Sequence, residues 1–426
     1  MRKIIILFTA LIIFGCKGEL LPLLPDVDQT VNDMDTAIFN DLNNETDEDI
    51  EDVSENDDLM PDIDVDADDA DVIVDEDIVP EMISSLLVTT IKGYDVPYSG
   101  KVCEFDESTL DLISQSCNDV LFGSETGSDS TVAVFDDIFS VITRNSGKNI
   151  YFLKDRSEDI MTFDIYTETS ENYLNYQDMV YNKVKDEYVI SAHSIDELLI
   201  FKEGVFTRQK FTDDDGVFPI KMRTIGEKIY INLQYLDDQW NSQKGVIAVV
   251  DMNDYSVEYV DLGVKNPGGK IEYNPNFDKD HIYTTCSGSW AKRDGAIVRV
   301  DLNTHKVEKV LSESNEEGSL LDVDLVDFSI TDNGDFFIVV SDNNENWVNK
   351  LYQFDVKEGK VIEVDTGVNA FAANPIDYSS TADMVYYFCD DEEKTFLKAR
   401  DVESGDVQSY ELDAGPASVK IWSRFK

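Results

Sequence analysis

Three features of the stretch 83–426 predict an all-β fold, a seven-bladed β-propeller. First, the stretch is built of short apolar runs such as KIYINLQY, GVIAVVDM, AIVRVDL, DFFIVVSD and MVYYFCDD, parted by Gly, Asn and Asp, with no sustained helical period. That is the pattern of buried strands joined by turns. Second, one strand ending recurs: CEFD at Asp106, FLKD at Asp155, LLIFK at Lys202, VVD at Asp251, VRVD at Asp301, YQFD at Asp355 and KARD at Asp401, spaced by 49, 47, 49, 50, 54 and 46 residues. A repeat of this length holding four strands is one blade of a radial ring. Third, the ends are uneven. Only SLLVTTI precedes the first ending, whereas one strand, SVKIWSRF, is left over after VQSYEL.

The chain begins with Arg2 and Lys3, an apolar stretch from Ile4 to Phe14 broken only by Thr9, then Gly15 and Cys16. A positive start, a short apolar core and a small residue before the cleavage point make an export signal over 1–15. The core is shorter than the roughly 20 apolar residues that a spanning helix needs. Ile13-Phe14-Gly15-Cys16 resembles the lipobox of bacterial lipoproteins, although Phe14 stands where that family has a small or aliphatic residue. The resemblance implies that Cys16 is diacylated and becomes the first residue of the mature protein, a lipid anchor to a membrane. With Lys17 rather than Asp next in the chain, it also implies the outer membrane, in a cell that has one.

Residues 16–82 read as a disordered acidic tether. From Glu19 to Glu81 there are 25 Asp and Glu, no Lys or Arg, and one aromatic residue, Phe39. Such a segment cannot bury enough apolar surface to offset the entropy of ordering it. A neutral flexible chain of 66 residues spans roughly 45 Å, and like charges extend it further. Asp62, Asp64, Asp66 and Asp68 alternate as in a calcium loop, but Ala67 and Ile73 occupy the places where an EF-hand needs Gly and Glu.

In the ring, seven endings give seven blades. Six blades would need about 57 residues each and eight about 43, so both fit the spacings less well. After each ending a turn and an outer strand follow, as in DLNTHKVEKVL and DVKEGKVIEVD. The spare C-terminal strand is expected to supply the missing inner edge of the first blade. That closes the ring and removes the unpaired edge that open sheets carry. The segments VVDMND and VRVDLNT resemble the YVTN or YncE-like propellers of bacteria, and GSDSTV, FTDDDGVFP and INLQYLDD are similar to propeller lipoproteins of that broad group. This group has no common reaction, so the resemblance implies the fold and leaves the function open.

Past Cys16 there are Cys103, Cys117, Cys286 and Cys389. In an exported protein Cys103 and Cys117, within one blade, are a candidate disulfide. Cys286 and Cys389 lie at matching strand ends two blades apart, beyond bridging reach. The whole chain has a formal charge of −53, and 82–426 holds 63 acidic against 32 basic residues. This excludes nucleic acid as a partner, because phosphate neutralisation needs basic patches. Protein or glycan ligands remain open, with the chain expected to be a monomer.

Candidate site residues come from loops. YLDDQWNSQKG, CSGSWAKRDG and SDNNENWVN join the second and third strands of three consecutive blades and carry Trp240, Trp290 and Trp347, three of four tryptophans. Tryptophan is favoured at binding surfaces, so these form a candidate ligand rim; the competing reading folds them down onto blade cores. Asp213, Asp214 and Asp215 before Gly216 are candidate oxygen ligands for Ca²⁺, with Asp237 and Asp238 adjoining, or else a solvated turn. Arg144, after FSVIT, is a candidate channel residue or an ion-pair partner. His193, His281 and His305 fall in no triad or metal spacing. The sequence therefore predicts a non-catalytic, surface-displayed binding propeller with no obligate cofactor. The alternatives are a metal-dependent lactonase-like hydrolase and a structural envelope scaffold.

Overall fold

A computed structural model describes residues 82–91, 100–113, 117, 130–135, 138–143, 149–154, 161–164, 175–193, 195–210, 216–289, 292–314, 321–342, 348–370, 372–391 and 394–425. Cys16, the tether, Arg144, Asp213, Asp214, Asp215, Trp290 and Trp347 lie outside the described residues.

The described chain is all-β. It opens with β1 (Met82–Ile91) and β2 (Lys101–Asp106). The second blade is β3 (Ser130–Phe135), β4 (Ile138–Thr143), β5 (Asn149–Lys154) and β6 (Met161–Asp164). The third is β7 (Tyr176–Asn182), β8 (Glu187–Ala192), β9 (Glu197–Lys202) and β10 (Val205–Lys210). The fourth is β11 (Val217–Ile225), β12 (Lys228–Leu236), β13 (Ser242–Asp251) and β14 (Val257–Asp261). The fifth is β15 (Ile271–Glu272), β16 (His281–Cys286), β17 (Ala296–Asp301) and β18 (Val307–Ser312). The sixth is β19 (Asp324–Ile330), β20 (Asp335–Asp342), β21 (Val348–Asp355) and β22 (Lys360–Thr366). The seventh is β23 (Ile376–Ser379), β24 (Met384–Asp391), β25 (Lys394–Asp401) and β26 (Val407–Leu412), and β27 (Gly415–Phe425) ends the chain. In blades two to seven the four strands pair antiparallel in chain order, each first strand on the inner edge.

The first blade is assembled from both ends of the chain. β27 pairs antiparallel with β1 from Met82↔Phe425 to Ile91↔Gly415, and β1 pairs with β2, so the last strand becomes the first blade's inner edge. Trp422 of β27 is fully buried, in edge-to-face contact with Phe139 of the second blade, ring centroids 4.9 Å apart. It sits among Leu87, Val102, Val132, Val141 and Tyr151, so the closing strand is locked by apolar packing on both sides of the seam. The other cores also lie between neighbouring blades. Val189 and Leu198, for instance, share a cluster with Ile229, Ile231 and Ala248 of the next blade.

The recurring aspartates owe their place to the turn that follows each third strand. Asp106, Asp251, Asp301, Asp355 and Asp401 end β2, β13, β17, β21 and β25, and each carboxylate accepts backbone N–H bonds from the turn. At Asp301 the donors are Asn303 at 2.9 Å and Thr304 at 2.7 Å. The residue four places on donates its N–H to the Asp carbonyl and takes a left-handed φ: Leu110, Tyr255, His305, Gly359 and Gly405. An Asp side chain folding back on its own turn is what makes this geometry accessible. The third blade departs for a physical reason. Glu203 and Gly204 both have positive φ and join β9 to β10 through a two-residue hairpin, which has no amide for an Asp to hold. That position is therefore free to be Lys202.

Cys103 of β2 is joined to Cys117 by a disulfide, with Cα atoms 4.1 Å apart. Cys286 and Cys389 are free and buried, on the second strands of the fifth and seventh blades.

Candidate functional site

The inner strands surround a central channel, and their alternation decides what it holds. Met179, Met222, Ile271, Phe328, Ile376 and Ile421 face the blade cores. Their immediate neighbours, Asp178, Lys221, Lys270, Asp327, Asp377 and Lys420, face the ring centre by the two-residue period of a strand. The result is a charged belt at mid-depth.

Lys270 is its hub. Its ammonium lies 2.8 Å from Glu272 and 3.3 Å from Asp377, and donates to Ser329 Oγ (2.8 Å) and the Ile376 carbonyl (2.7 Å). Burial disfavours its charge, but Glu272, Asp377 and Asp327 outweigh that and hold its pKa above the usual lysine value. For Asp377 burial acts upward, and Lys420 and Lys270 outweigh it, so its pKa stays below the usual carboxylate value. For Asp327 burial wins over Lys270 and Lys221, and its pKa is raised.

The aspartates also tie blade to blade. Asp178 accepts the N–H groups of Met179 and, across the seam, Met222, both at 2.9 Å. Asp327 accepts from Phe328 and from Lys270 of the preceding blade. Asp377 accepts from Ile421 of the closing strand. Polar residues of second strands add further ties: Thr89 to the Ser130 carbonyl, Ser191 to the Ile220 carbonyl, and Asn232 to the Gly269 carbonyl. Each such bond satisfies a buried backbone group that an inner strand would otherwise leave open.

Between this belt and one end of the ring lies a cavity of about 450 Å³. It is lined by Thr131–Phe135, Asp178–Tyr181 and Lys221–Thr224, with Lys270, Ile271, Asn374 and Lys420 at depth. Lys183 and Gly226, in the turns after β7 and β11, and Met252, in the turn after β13, reach the end where first strands turn into second strands. Lys221 donates to the Ala373 carbonyl at 2.9 Å, and Arg223 reaches the Tyr273 carbonyl at 3.5 Å.

The opposite end carries the loops between second and third strands. There Trp240 is half-buried, its ring parallel to Phe218 (centroids 5.7 Å apart) and to His193 (6.2 Å). Its φ of +64° is unusual for a bulky residue. Its N–H donates to the Asp237 carbonyl, and the Asp237 side chain accepts the N–H groups of Gln239 and Asn241. Those bonds, Asn241 first, lower the Asp237 pKa and engage it in shaping the hairpin. Beside the stack His193 Nε2 meets Gln234 Oε1 at 2.9 Å, and Gln234 bonds Asn266. In the chain, positions 290 and 347 come between β16 and β17 and between β20 and β21, outside the described residues. Next to the first of these, buried Arg293 pairs with Asp322 (3.3 Å) and Asp324 (3.2 Å). Glu313 accepts the N–H groups of Gly295 and Leu325, joining the fifth blade to the sixth. Gly295 is required there, since a Cβ would lie 2.6 Å from the Glu313 carboxylate and the Cys286 carbonyl. Burial raises the Glu313 pKa to about 7 despite those bonds.

Sequence reasoning looked for the site in long loops and passed over Lys221, Lys270, Lys420, Asp178, Asp327 and Asp377. A signal was present: PIKMRTI, GKIEY, DLVDFSI, NPIDYSS and SVKIWS each set a charge beside an apolar core residue in a first strand. Among the described residues no group of three or more His, Cys, Asp and Glu could hold a metal ion, and no helix is long and apolar enough to cross a membrane.

No known protein family and no curated protein matches the chain by sequence. By structure it is similar to the periplasmic gluconolactonase of Pseudomonas aeruginosa, with a TM-score of 0.54 and 12% identity over 80% of this chain and 99% of that one. It is also similar to a provisionally assigned 6-phosphogluconolactonase of Bacteroides uniformis ATCC 8492, with a TM-score of 0.53 and 11% identity over 79% and 99%. At such identity the likeness speaks for architecture alone, and what it shows is that the chain is a β-propeller.

Proposed function

We propose that this protein is a non-catalytic binding propeller held at the bacterial cell envelope. Cys16 carries the lipid, in the outer membrane or at the cell surface. Residues 17–82 form the tether, and the ring displays its channel as a monomer. The observation that carries the reading is the cavity of about 450 Å³ beside the charged belt. Its volume falls within the range of small-molecule sites, and its lining sets apolar residues such as Val132, Val134 and Ile271 among many polar and charged ones. The half-buried Trp240 stack at the opposite end supports a second contact surface for a protein or glycan. Several acyl chains anchor stably, at about 0.8 kcal/mol per buried methylene.

Two measurements test the two parts. In the native cell, C16S is expected to move the protein from the membrane pellet to the soluble fraction; retention in the membrane rules out the lipid anchor. For the ring, the detergent-solubilised full chain is screened by thermal shift against sugars, sugar acids, peptides and metal ions. A saturable shift is expected from a small ligand, and none across the screen removes the binding reading. The P. aeruginosa neighbour's name makes gluconolactone the substrate to assay alongside, and its turnover by the purified chain would move the reading to a hydrolase.

A further inference from the structure

We infer that the Trp240 stack binds a neutral glycan: one pyranose ring lies on the uncovered face of the indole, and its hydroxyls meet the side-chain amides of Gln234 and Asn266. The inference rests on the reading of this end as a second contact surface and names the class of its ligand.

The ring distances leave a face of Trp240 open to a flat ligand. His193 and Phe218 have centroids 4.8 Å apart, and Trp240 lies 6.2 Å from the first and 5.7 Å from the second, all three rings nearly parallel. Rings on opposite faces of the indole would be separated by two van der Waals spacings, roughly 7 Å. At 4.8 Å His193 and Phe218 cannot be so placed, and one face of the indole is covered by neither. The residue is half-buried, so part of it meets solvent.

The loop holds the indole in this posture. A φ of +64° is a left-handed conformation that a bulky residue keeps only when its surroundings impose it. Asp237 imposes it. Its carbonyl accepts the Trp240 N–H at 2.8 Å, one carboxylate oxygen accepts the N–H groups of Gln239 and Asn241, and the other accepts the Gln243 side-chain amide at 2.8 Å. A ring fixed before binding loses little freedom when a ligand settles on it.

Beside the stack runs a row of uncharged groups drawn from three blades. His193 of the third blade, Gln234 of the fourth, Asn266 of the connection to the fifth and Ser287 of the fifth are hydrogen-bonded in succession. An amide nitrogen carries two N–H groups, and Gln234 and Asn266 each commit one, to Asn266 Oδ1 and to Ser287 Oγ. Both residues are partly exposed, which leaves the second N–H of each for a hydroxyl. A flat apolar face flanked by neutral donors matches a sugar ring, with C–H groups on its face and hydroxyls at its edge.

The surroundings argue for a sugar over a protein. A protein interface sets an apolar core around such an anchor. Here the well-exposed large apolar side chains Val205, Tyr259, Ile362 and Val407 sit on fourth strands, and Val184 and Val356 in turns of the opposite end. Among the described residues none lies in a loop between second and third strands. An acidic glycan would have to approach a body of 63 acidic and 32 basic residues, which leaves neutral sugars.

Calorimetry and saturation-transfer NMR on the full chain, in a detergent without a sugar headgroup, test this. The probes are maltotriose, cellotriose and triacetylchitotriose, with trigalacturonate as the anionic control. At least one neutral trisaccharide is expected to bind saturably, with an affinity that changes little as NaCl is raised. W240A should weaken it by about tenfold or more, and W240F, which keeps a flat ring, by less. Q234A removes one neutral donor and should weaken it by about threefold to tenfold. K360M, at an exposed lysine on β22, should leave it unchanged. Far-UV circular dichroism and a single cooperative urea transition establish that the variants fold, and Q234A carries the test if W240A does not. Binding unaltered in both W240A and Q234A overturns the assignment, as does binding of trigalacturonate alone or silence from all three neutral sugars. A small-ligand shift in the wider screen that survives W240A then leaves the channel reading standing; without one, both fall.

Discussion

Ring closure by β27 makes a sharp energetic prediction at Trp422. The side chain is fully buried at the seam of the first and second blades, edge-on to Phe139 and enclosed by Leu87, Val102, Val132, Val141 and Tyr151. W422A removes an indole from a packed site that the surrounding strands cannot refill, which costs about 4 kcal/mol. W422F keeps a ring against Phe139 and should recover more than half of that, since an aromatic pair contributes about 1 kcal/mol beyond its area. W240A, at the half-buried stack on the other end, should cost less than W422A. The assay is equilibrium urea unfolding followed by far-UV circular dichroism, with the loss read as a shift in midpoint at constant slope. A W422A loss under about 1 kcal/mol, in the range of ordinary surface substitutions, would refute the reasoning, because β27 would then not be holding the ring closed.

Other consequences follow from particular side chains. Glu313, with its pKa raised from 4.5 to about 7, binds a proton more tightly folded than unfolded. Stability from this group is therefore present at low pH and lost as pH rises from about 4.5 to 7, by roughly 3 kcal/mol; E313Q should flatten that part of the pH–stability profile, and an unchanged slope would contradict the burial of the carboxyl. The Cys103–Cys117 bridge closes a separation of 14 residues, so C103A/C117A should cost about 3 kcal/mol in the loop-entropy account, read from urea midpoints of oxidised wild type and variant. D301A should lower the unfolding midpoint by releasing the Asn303 and Thr304 amides, D301N should largely restore it, and K202A should leave it in place because its hairpin has no such amides.

The seven strand endings were legible because a local cause repeats. Among the described residues, five turns after third strands hold their own amides with an Asp carboxylate, so Asp recurs at a spacing that counts the blades. Even the exception was legible in part: LLIFK kept the spacing without the Asp, and only the Glu203–Gly204 hairpin explains why. The spare strand SVKIWSRF was legible for a different reason. A chain with one inner strand too few at its start and one strand too many at its end has a single arrangement that leaves no edge open. The candidate site was less legible. Composition and loop length drew attention to Trp240, which the structure sets against Phe218 and His193, and not to the inner strands. A charged residue within a short first strand reads the same whether it faces solvent or the ring centre, and period-two alternation alone does not tell the two apart.

By itself, then, the sequence determined the strongly acidic composition of 19–81, the all-β ring and the count of its blades, since each is written in contiguous residues or in a fixed repeat. Tertiary structure decided the channel. Asp178, Lys221, Asp327, Asp377 and Lys420 lie on five different inner strands and Lys270 immediately precedes a sixth, spread over more than half the chain. They become neighbours only when β27 pairs with β1 and the ring closes. Their balance of burial and charge is a property of that closure, which no stretch of sequence carries alone.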